Sequence, residues 1–241
     1  MGERRIFIQR PCIVGETYLP DPSGLHYLLR VLRVKAGDRF RGFEAGTTNY
    51  LLEWISESQG FKVLERTVPT EAPRWTLALA QGLPKGPKFD QVLRQCTELG
   101  VRSFFPLLTE RSVVRLDPDE RESKRVRWEK ILQEATRQCG REQVPELSAP
   151  LVWEEALEIL SAFDLVLFLY EGDGPSLRSC LESRPKAERV LLLVGPEGGW
   201  SPREVEDVLR RGAQVVHLPT PILRAETAPL VAAAMVQYHY S

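Results

Sequence analysis

The spacing of apolar positions changes character once along the 241-residue chain. The first part carries alternation of period two. Residues 4–9 alternate and predict a strand, and strand-like runs follow at 39–43, 50–56 and 61–67, with turn signals at Gly46 and Gly60. Before these runs, Leu25, Leu28, Leu29 and Leu32 fall at helical spacing within 22–32, and Gly37-Asp38 marks a turn. Several short strands with glycine turns predict a small β-barrel of about 70 residues. Residues 67–73 hold two prolines and no periodicity, which predicts a linker.

From residue 75 onward, short apolar runs alternate with helical patterns. Strands are expected at 75–81, 101–108, 164–170, 189–194 and 214–218. A helix is expected over 88–99, with Val92, Leu93, Cys96 and Leu99 on one face and Gly100 as its stop. Asp117-Pro-Asp-Glu120 combines a cap, a proline at the first helical position and a capping box, so a second helix runs to about Gly140. Ser201-Pro-Arg-Glu204 repeats the box, with Gly212 past the helix end. A last helix runs from Pro229 to about Tyr240, with small residues at Ala232, Ala233 and Ala234. Strands alternating with helices imply an α/β fold with a parallel sheet.

Composition refines this picture only in part. With 43% hydrophobic and 27% charged residues, the chain reads as a soluble globular protein. A net charge of −1 names no polyanionic partner. Locally, residues 84–141 carry about four excess positive charges and residues from 142 onward about seven excess negative ones. The basic middle suits nucleic-acid binding, and equally a set of solvated helix faces. Four scattered cysteines and three separated histidines offer no metal-ligand spacing and no disulfide framework, so no metal is expected and reduced thiols in a cytoplasmic protein are. The N-terminal run lacks the apolar core of a signal peptide, and no stretch has membrane-spanning length, so no membrane partner is expected.

Two loops carry the candidate chemistry: Gly195-Pro-Glu-Gly-Gly199, and Leu218 through Ala228. Each follows an expected strand and leads into an expected helix. Both should therefore emerge at the strand C-termini, where open α/β sheets bind ligands. Glycines in the first loop admit close approach of a ligand to the backbone. Its spacing matches neither the dinucleotide nor the P-loop phosphate pattern. The same loop is also compatible with an ordinary tight turn. In the second loop, Arg224 can place a planar cation near an anionic oxygen. Glu226 can serve as base, Arg partner or helix-dipole carboxylate, and Thr227 as N-cap. A plain Arg224–Glu226 pair stapling the loop is the structural alternative.

Together these residues resemble the SPOUT methyltransferases. Within that superfamily the chain resembles the RsmE family, bacterial 16S ribosomal RNA uridine-N3 methyltransferases. The resemblance runs through His26 to Arg33, Gly37-Asp38, Lys85, Thr97 to Val101, Pro106 to Ser112, Trp128 to Glu134, Gln138, Arg141, Pro145 and both loops. It implies a PUA-like RNA-binding β-barrel over 1–70 and a SPOUT methyltransferase domain over 74–241, with a C-terminal trefoil knot and a homodimer through the knot region. It also implies S-adenosylmethionine as methyl donor, held among Leu169, Gly195, Pro196, Glu197, Gly198, Leu218, Ile222, Leu223, Thr227 and Ala228. Arg224 and Glu226 are the implied catalytic residues. The implied partner is 16S rRNA, within the small ribosomal subunit, gripped through Arg4, Arg10, Arg30, Arg33, Arg111 and Arg141.

The chain departs from the family pattern at Pro219, Pro221, Ala225 and Cys96. Pro219 removes an N–H that could face the cofactor, and Ala225 removes a hydroxyl. Two other readings stay open on sequence alone: a SPOUT methyltransferase acting on transfer RNA, and a catalytically silent RNA-binding assembly factor. The product nucleoside separates the first, and S-adenosylmethionine binding the second.

Overall fold

The computed structural model describes residues 5–8, 10–44, 48–67, 74–141, 143–172 and 174–241. Positions 4 and 9 of the first expected strand, the Gly46 turn, Arg4 and nearly all of the expected linker lie outside them. The chain divides into two compact units, 1–72 with 136–144, and 73–135 with 145–241. Residues 136–144, which the sequence placed in the second domain, thus group with the first unit.

In the first unit, β1 (Arg5–Ile8), β2 (Thr17–Tyr18), β3 (Arg39–Glu44), β4 (Thr48–Ser56) and β5 (Gly60–Thr67) form a mixed sheet ordered β1-β3-β4-β5-β2. β1 runs parallel to β3, and the other pairs are antiparallel. Alternation along β4 sends Tyr50, Leu52 and Trp54 inward, where they meet Ile6, Ile8, Phe40, Phe61 and Val63. β2 escaped the sequence reading because two residues display no period. The helical pattern of 22–32 is realised in two pieces. Helix α1 (Pro22–His26) is capped by Asp21, which accepts from the Gly24 amide at 2.9 Å. A wider π-helical turn then spans Tyr27–Val31 and ends where Arg33 takes a left-handed φ of 51°.

The second unit is built on a parallel sheet. Its strands are β6 (Thr76–Gly82), β7 (Ser103–Leu108), β8 (Glu146–Leu147), β9 (Leu151–Val152), β10 (Leu165–Leu169), β11 (Arg189–Val194) and β12 (Gln214–Val216). Their order is β12-β10-β11-β6-β7-β8, with β9 also on β7. The helices are α2 (Lys88–Glu98), α3 (Pro118–Cys139, whose last residues from 136 group with the first unit), α4 (Trp153–Ile159), α5 (Leu177–Glu182), α6 (Pro202–Arg210) and α7 (Ala228–Tyr240). Alternation divides the central strands between two layers. Ala78, Ala80, Leu191, Leu193 and Phe168 pack with Trp153 and Ala156 of α4 and Val208 of α6. The opposite face meets α7, which packs on β6 and β11 and touches α2 and α5.

Both expected capping boxes form. Glu120 N donates to Asp117 Oδ1 (2.8 Å) and Asp117 N to Glu120 Oε2 (3.0 Å). Ser201 and Glu204 reciprocate in the same way. At Thr227 the expectation fails: the residue sits at the N-cap of α7 with helical φ and ψ, and its side chain makes no capping bond. A capping side chain needs an extended backbone at that position, and the turn before α7 has already coiled.

The chain builds β6, β7 and β8 outward in one direction, then jumps to β10 and inserts β11 between β10 and β6. The reversal lies between β6 and β11. At that point adjacent strands send their following loops apart, which leaves a crevice at the strand C-termini.

Candidate active site

Register decides the geometry at this crevice. Gln81 pairs with Val194 across β6 and β11, so its side chain lies beside the loop that starts at Gly195. It is fully buried. Its Nε2 lies 3.1 Å from Gly195 O and 3.3 Å from Ala225 O, so one amide holds both candidate loops. Its Oε1 is buried with no hydrogen-bond partner. The first loop also packs tightly on the end of β6. A Cβ at Gly82 would come within 2.5 Å of Pro196 Cδ, so only glycine fits there. On the other side, Trp200 Nε1 donates to Leu169 O at 3.1 Å, fixing the end of β10 against the same turn.

A charged cluster ties the second loop down. Lys88, in the first turn of α2, places Nζ 2.8 Å from Glu197 Oε1 and 3.4 Å from Glu226 Oε2. The Lys85 amide donates to Glu197 as well, at 3.2 Å. Burial pushes the Glu197 carboxyl up, but the Lys88 ammonium and the Lys85 amide outweigh it and hold the group below the usual carboxylate range. The Glu197 contact in turn raises Lys88. Glu226 Oε2 is buried and rests on the ion pair, without a hydrogen bond.

The pair that would staple the loop, Arg224 with Glu226, is therefore not what forms. Glu226 turns to Lys88, while Arg224 is exposed and has no ion-pair or hydrogen-bond partner for its guanidinium among the described residues. The Arg224 carbonyl accepts from Thr227 N (2.8 Å) and Ala228 N (2.9 Å). Among the described residues, the amides of Ile222 through Glu226 find no protein acceptor. Ile222 is 78% exposed, while Leu218 and Leu223 are half-buried. The site thus offers a row of free amides beside apolar side chains. That set suits the flat face and polar edge of a nucleoside, and it holds none of the lysine-bearing glycine loop of a polyphosphate site. Among the described residues no group of three His, Cys, Asp or Glu could hold a metal.

A family model for the RNA methyltransferase domain matches residues 70–237. The chain is 34% identical to the ribosomal RNA small subunit methyltransferase E of a Synechocystis strain, over 96% of this chain and 76% of that protein. The Bacillus subtilis protein of the same name is 32% identical, over 89% and 87%. The chain belongs to the ribosomal RNA small subunit methyltransferase E family. Among solved structures, the methyltransferase E of Neisseria gonorrhoeae, bound to S-adenosyl methionine, superposes with a TM-score of 0.83 at 26% identity, covering 98% of each chain.

Of the expected donor-holding residues, Leu169 ends β10, Gly195, Pro196, Glu197 and Gly198 follow β11 and Leu218 follows β12, all at one edge of the parallel sheet. Gln81 ties Gly195 to Ala225 in the loop that carries Ile222, Leu223, Thr227 and Ala228. Glu197 faces the β6–α2 loop with both oxygens engaged. The expected RNA-gripping arginines are divided between the two units. Arg10, Arg30 and Arg33 belong to the first unit, as does Arg141, and Arg111 to the second. Arg10 stacks over Tyr18 at 5.4 Å, and Arg111 Nη1 donates to Gly198 O at 3.3 Å. Arg4 lies outside the described residues.

Sequence reasoning missed Gln81 and Lys88. Gln81 had a signal, as the one strongly polar residue at the end of an apolar run. Lys88 had none, because only the fold carries its ammonium to loops more than a hundred residues away.

Proposed function

We propose that this chain transfers a methyl group from S-adenosylmethionine to N3 of a uridine in 16S ribosomal RNA of the small subunit, in the cytoplasm. The observation that carries the reading is the meeting of two strand-to-helix loops on Gln81, with free amides in one of them and an unpartnered Arg224 beside them. Residues 222–226 hold the polar edge of the donor's adenosine, and Leu169, Leu218 and Leu223 flank its face. Bound S-adenosylmethionine supplies a methyl group on a sulfonium, open to in-line displacement by a nucleophilic nitrogen.

Uracil N3 carries a proton whose pKa lies about two units above neutrality, so its removal costs about 3 kcal/mol. The proton leaves to solvent. The resulting charge spreads onto the flanking carbonyl oxygens, where the Arg224 guanidinium lowers that cost as an oxyanion hole does. Glu226, tied to Lys88, holds the loop that carries Arg224 and acts as a positioning residue. Holding donor and acceptor in line accounts for much of the rate. Arg10, Arg30, Arg33, Arg111, Arg141 and Arg4 grip phosphates in this reading. It also includes the PUA-like barrel, a trefoil knot through the two loops and a homodimer through the same region. The exposure of Ile222 and Tyr238 (78% and 89%) supports the dimer.

The test is methylation of small subunits lacking the mark, with nucleosides identified by mass spectrometry. 3-Methyluridine is expected. Another methylated nucleoside, or a transfer RNA product, refutes the position assigned. Arg224→Ala should lower kcat by about 100-fold with the fold intact, the scale of losing one oxyanion donor. Wild-type kcat in that variant removes Arg224 from the mechanism.

A further inference from the structure

A cavity opens at the same edge of the parallel sheet, beyond the C-termini of β7 and β9. It has a volume of about 420 Å³ and is lined by Thr109, Arg115, Arg121, Trp153, Arg203 and Glu204, among others. Its loop wall is firmly built. Arg115 donates to the carbonyls of Thr109 (3.1 Å) and Glu110 (3.0 Å), folding residues 109–115 onto themselves. The buried Glu204 has both oxygens engaged, accepting from Ser201 N and Glu110 N, each at 2.8 Å. Arg203 reaches Glu154 only at 3.4 Å, and both side chains are about 70% exposed.

Arg121 stands apart. It lies in the first turn of α3, its Nε is buried without a hydrogen-bond partner, and among the described residues its guanidinium has no ion pair. Arg121 as a whole is half-buried, but a buried N–H left without an acceptor is costly, and an anion entering the cavity would supply one. Of the carboxylates that line the cavity, Glu204 is held by two backbone amides, Glu154 is drawn to Arg203, and Glu110 is exposed. Two cavity residues lead toward the Gly195–Gly199 turn: Glu204 ties Ser201 to Glu110, and Arg111, next to Glu110, donates to Gly198 O.

We infer that this cavity is a phosphate subsite for the RNA substrate, in which Arg121 receives a backbone phosphate near the target nucleotide. The inference rests on the reading above that the substrate is RNA. An RNA strand presenting one base to Arg224, whose loop Gln81 ties to Gly195 at the end of β6, has neighbouring phosphates along this sheet edge toward β7, and the planar guanidinium suits a phosphate oxygen pair.

The experiment compares wild-type protein, Arg121→Gln and Arg121→Lys in RNA binding across a potassium chloride series, using a small-subunit RNA fragment that carries the target. Thermal melts and S-adenosylmethionine calorimetry run alongside. In Arg121→Gln the slope of log affinity against log salt should shrink by about 0.7 to 0.9, the signature of one lost phosphate contact. Arg121→Lys should keep the slope. Affinity for S-adenosylmethionine should not change. An unchanged slope in a folded Arg121→Gln overturns the inference. So does an equal loss of S-adenosylmethionine binding, which would make the cavity part of the cofactor site. Inorganic phosphate that stabilises the wild type but not Arg121→Gln, with identical RNA slopes, overturns it too, because the cavity then takes a free anion. Failure of the reaction reading shows separately, as wild-type protein that yields no 3-methyluridine.

Discussion

Gln81→Leu isolates the contact that joins the two loops. The substitution roughly conserves volume and deletes the amide. Nε2, with two N–H groups shared among Gly195 O (3.1 Å), Ala225 O (3.3 Å) and Gly82 O (3.3 Å), loses about 2 kcal/mol net of hydrogen bonding. The Ala225 carbonyl, now buried without a donor, adds about 1–3 kcal/mol of desolvation cost. Against this, the orphaned Gln81 Oε1 disappears, which recovers about the same 1–3 kcal/mol. The two desolvation effects offset, and the second unit should lose about 2 kcal/mol of stability. Because the loops carry the donor site, the same loss of alignment should weaken S-adenosylmethionine binding about tenfold, or about 1.4 kcal/mol. Urea denaturation followed by tryptophan fluorescence reads the first effect, and calorimetry the second. Gln81→Glu should be worse than Gln81→Leu, since it sets a carboxylate against two carbonyl oxygens. A Gln81→Leu protein within about 0.5 kcal/mol of wild type in both measurements would refute the reasoning.

Two further predictions follow from the charges and thiols. Glu197 is held below its ordinary value of 4.5, so its share of stability is present above that pH and is lost as pH falls through the lower folded value. Lys88→Met should flatten this acid limb in melts between about pH 6 and 3, and an unaltered limb would show that Lys88 does not hold Glu197 in solution. Cys96 is fully buried and its thiol is pushed up to about 12, so iodoacetamide at about pH 8 should leave it unmodified until urea unfolds the chain. Modification at the native state's solvent-exposed rate would contradict its burial.

What could be read from residue order was what depends on near neighbours. The boxes at Asp117/Glu120 and Ser201/Glu204 are local hydrogen-bond circuits and form as expected. The stops at Gly100 and Gly140 take the left-handed conformation that a helix end favours, with φ of 88° and 78°. Apolar runs such as 189–194 could only be buried, and they lie in the middle of the sheet. Short elements were invisible for the converse reason. β8 and β9 have two residues each and exist because β7 offers them an edge. The wide turn over Tyr27–Val31 repeats helical spacing closely enough to pass for a plain helix.

The candidate site divides in the same way. Sequence by itself determined the α/β class, the two loops and the residues most able to carry chemistry, because strand, turn and cap preferences act over a few residues. Tertiary structure alone decided how those residues pair. Insertion of β11 beside β6 brings Gln81 to Gly195 and Ala225, across separations of 114 and 144 residues. It also carries Lys88 to Glu226, which leaves Arg224 without the partner that lies two positions away in the chain. Ion pairs and buried hydrogen bonds are selected by distance and desolvation in space, and no pattern along the chain encodes either.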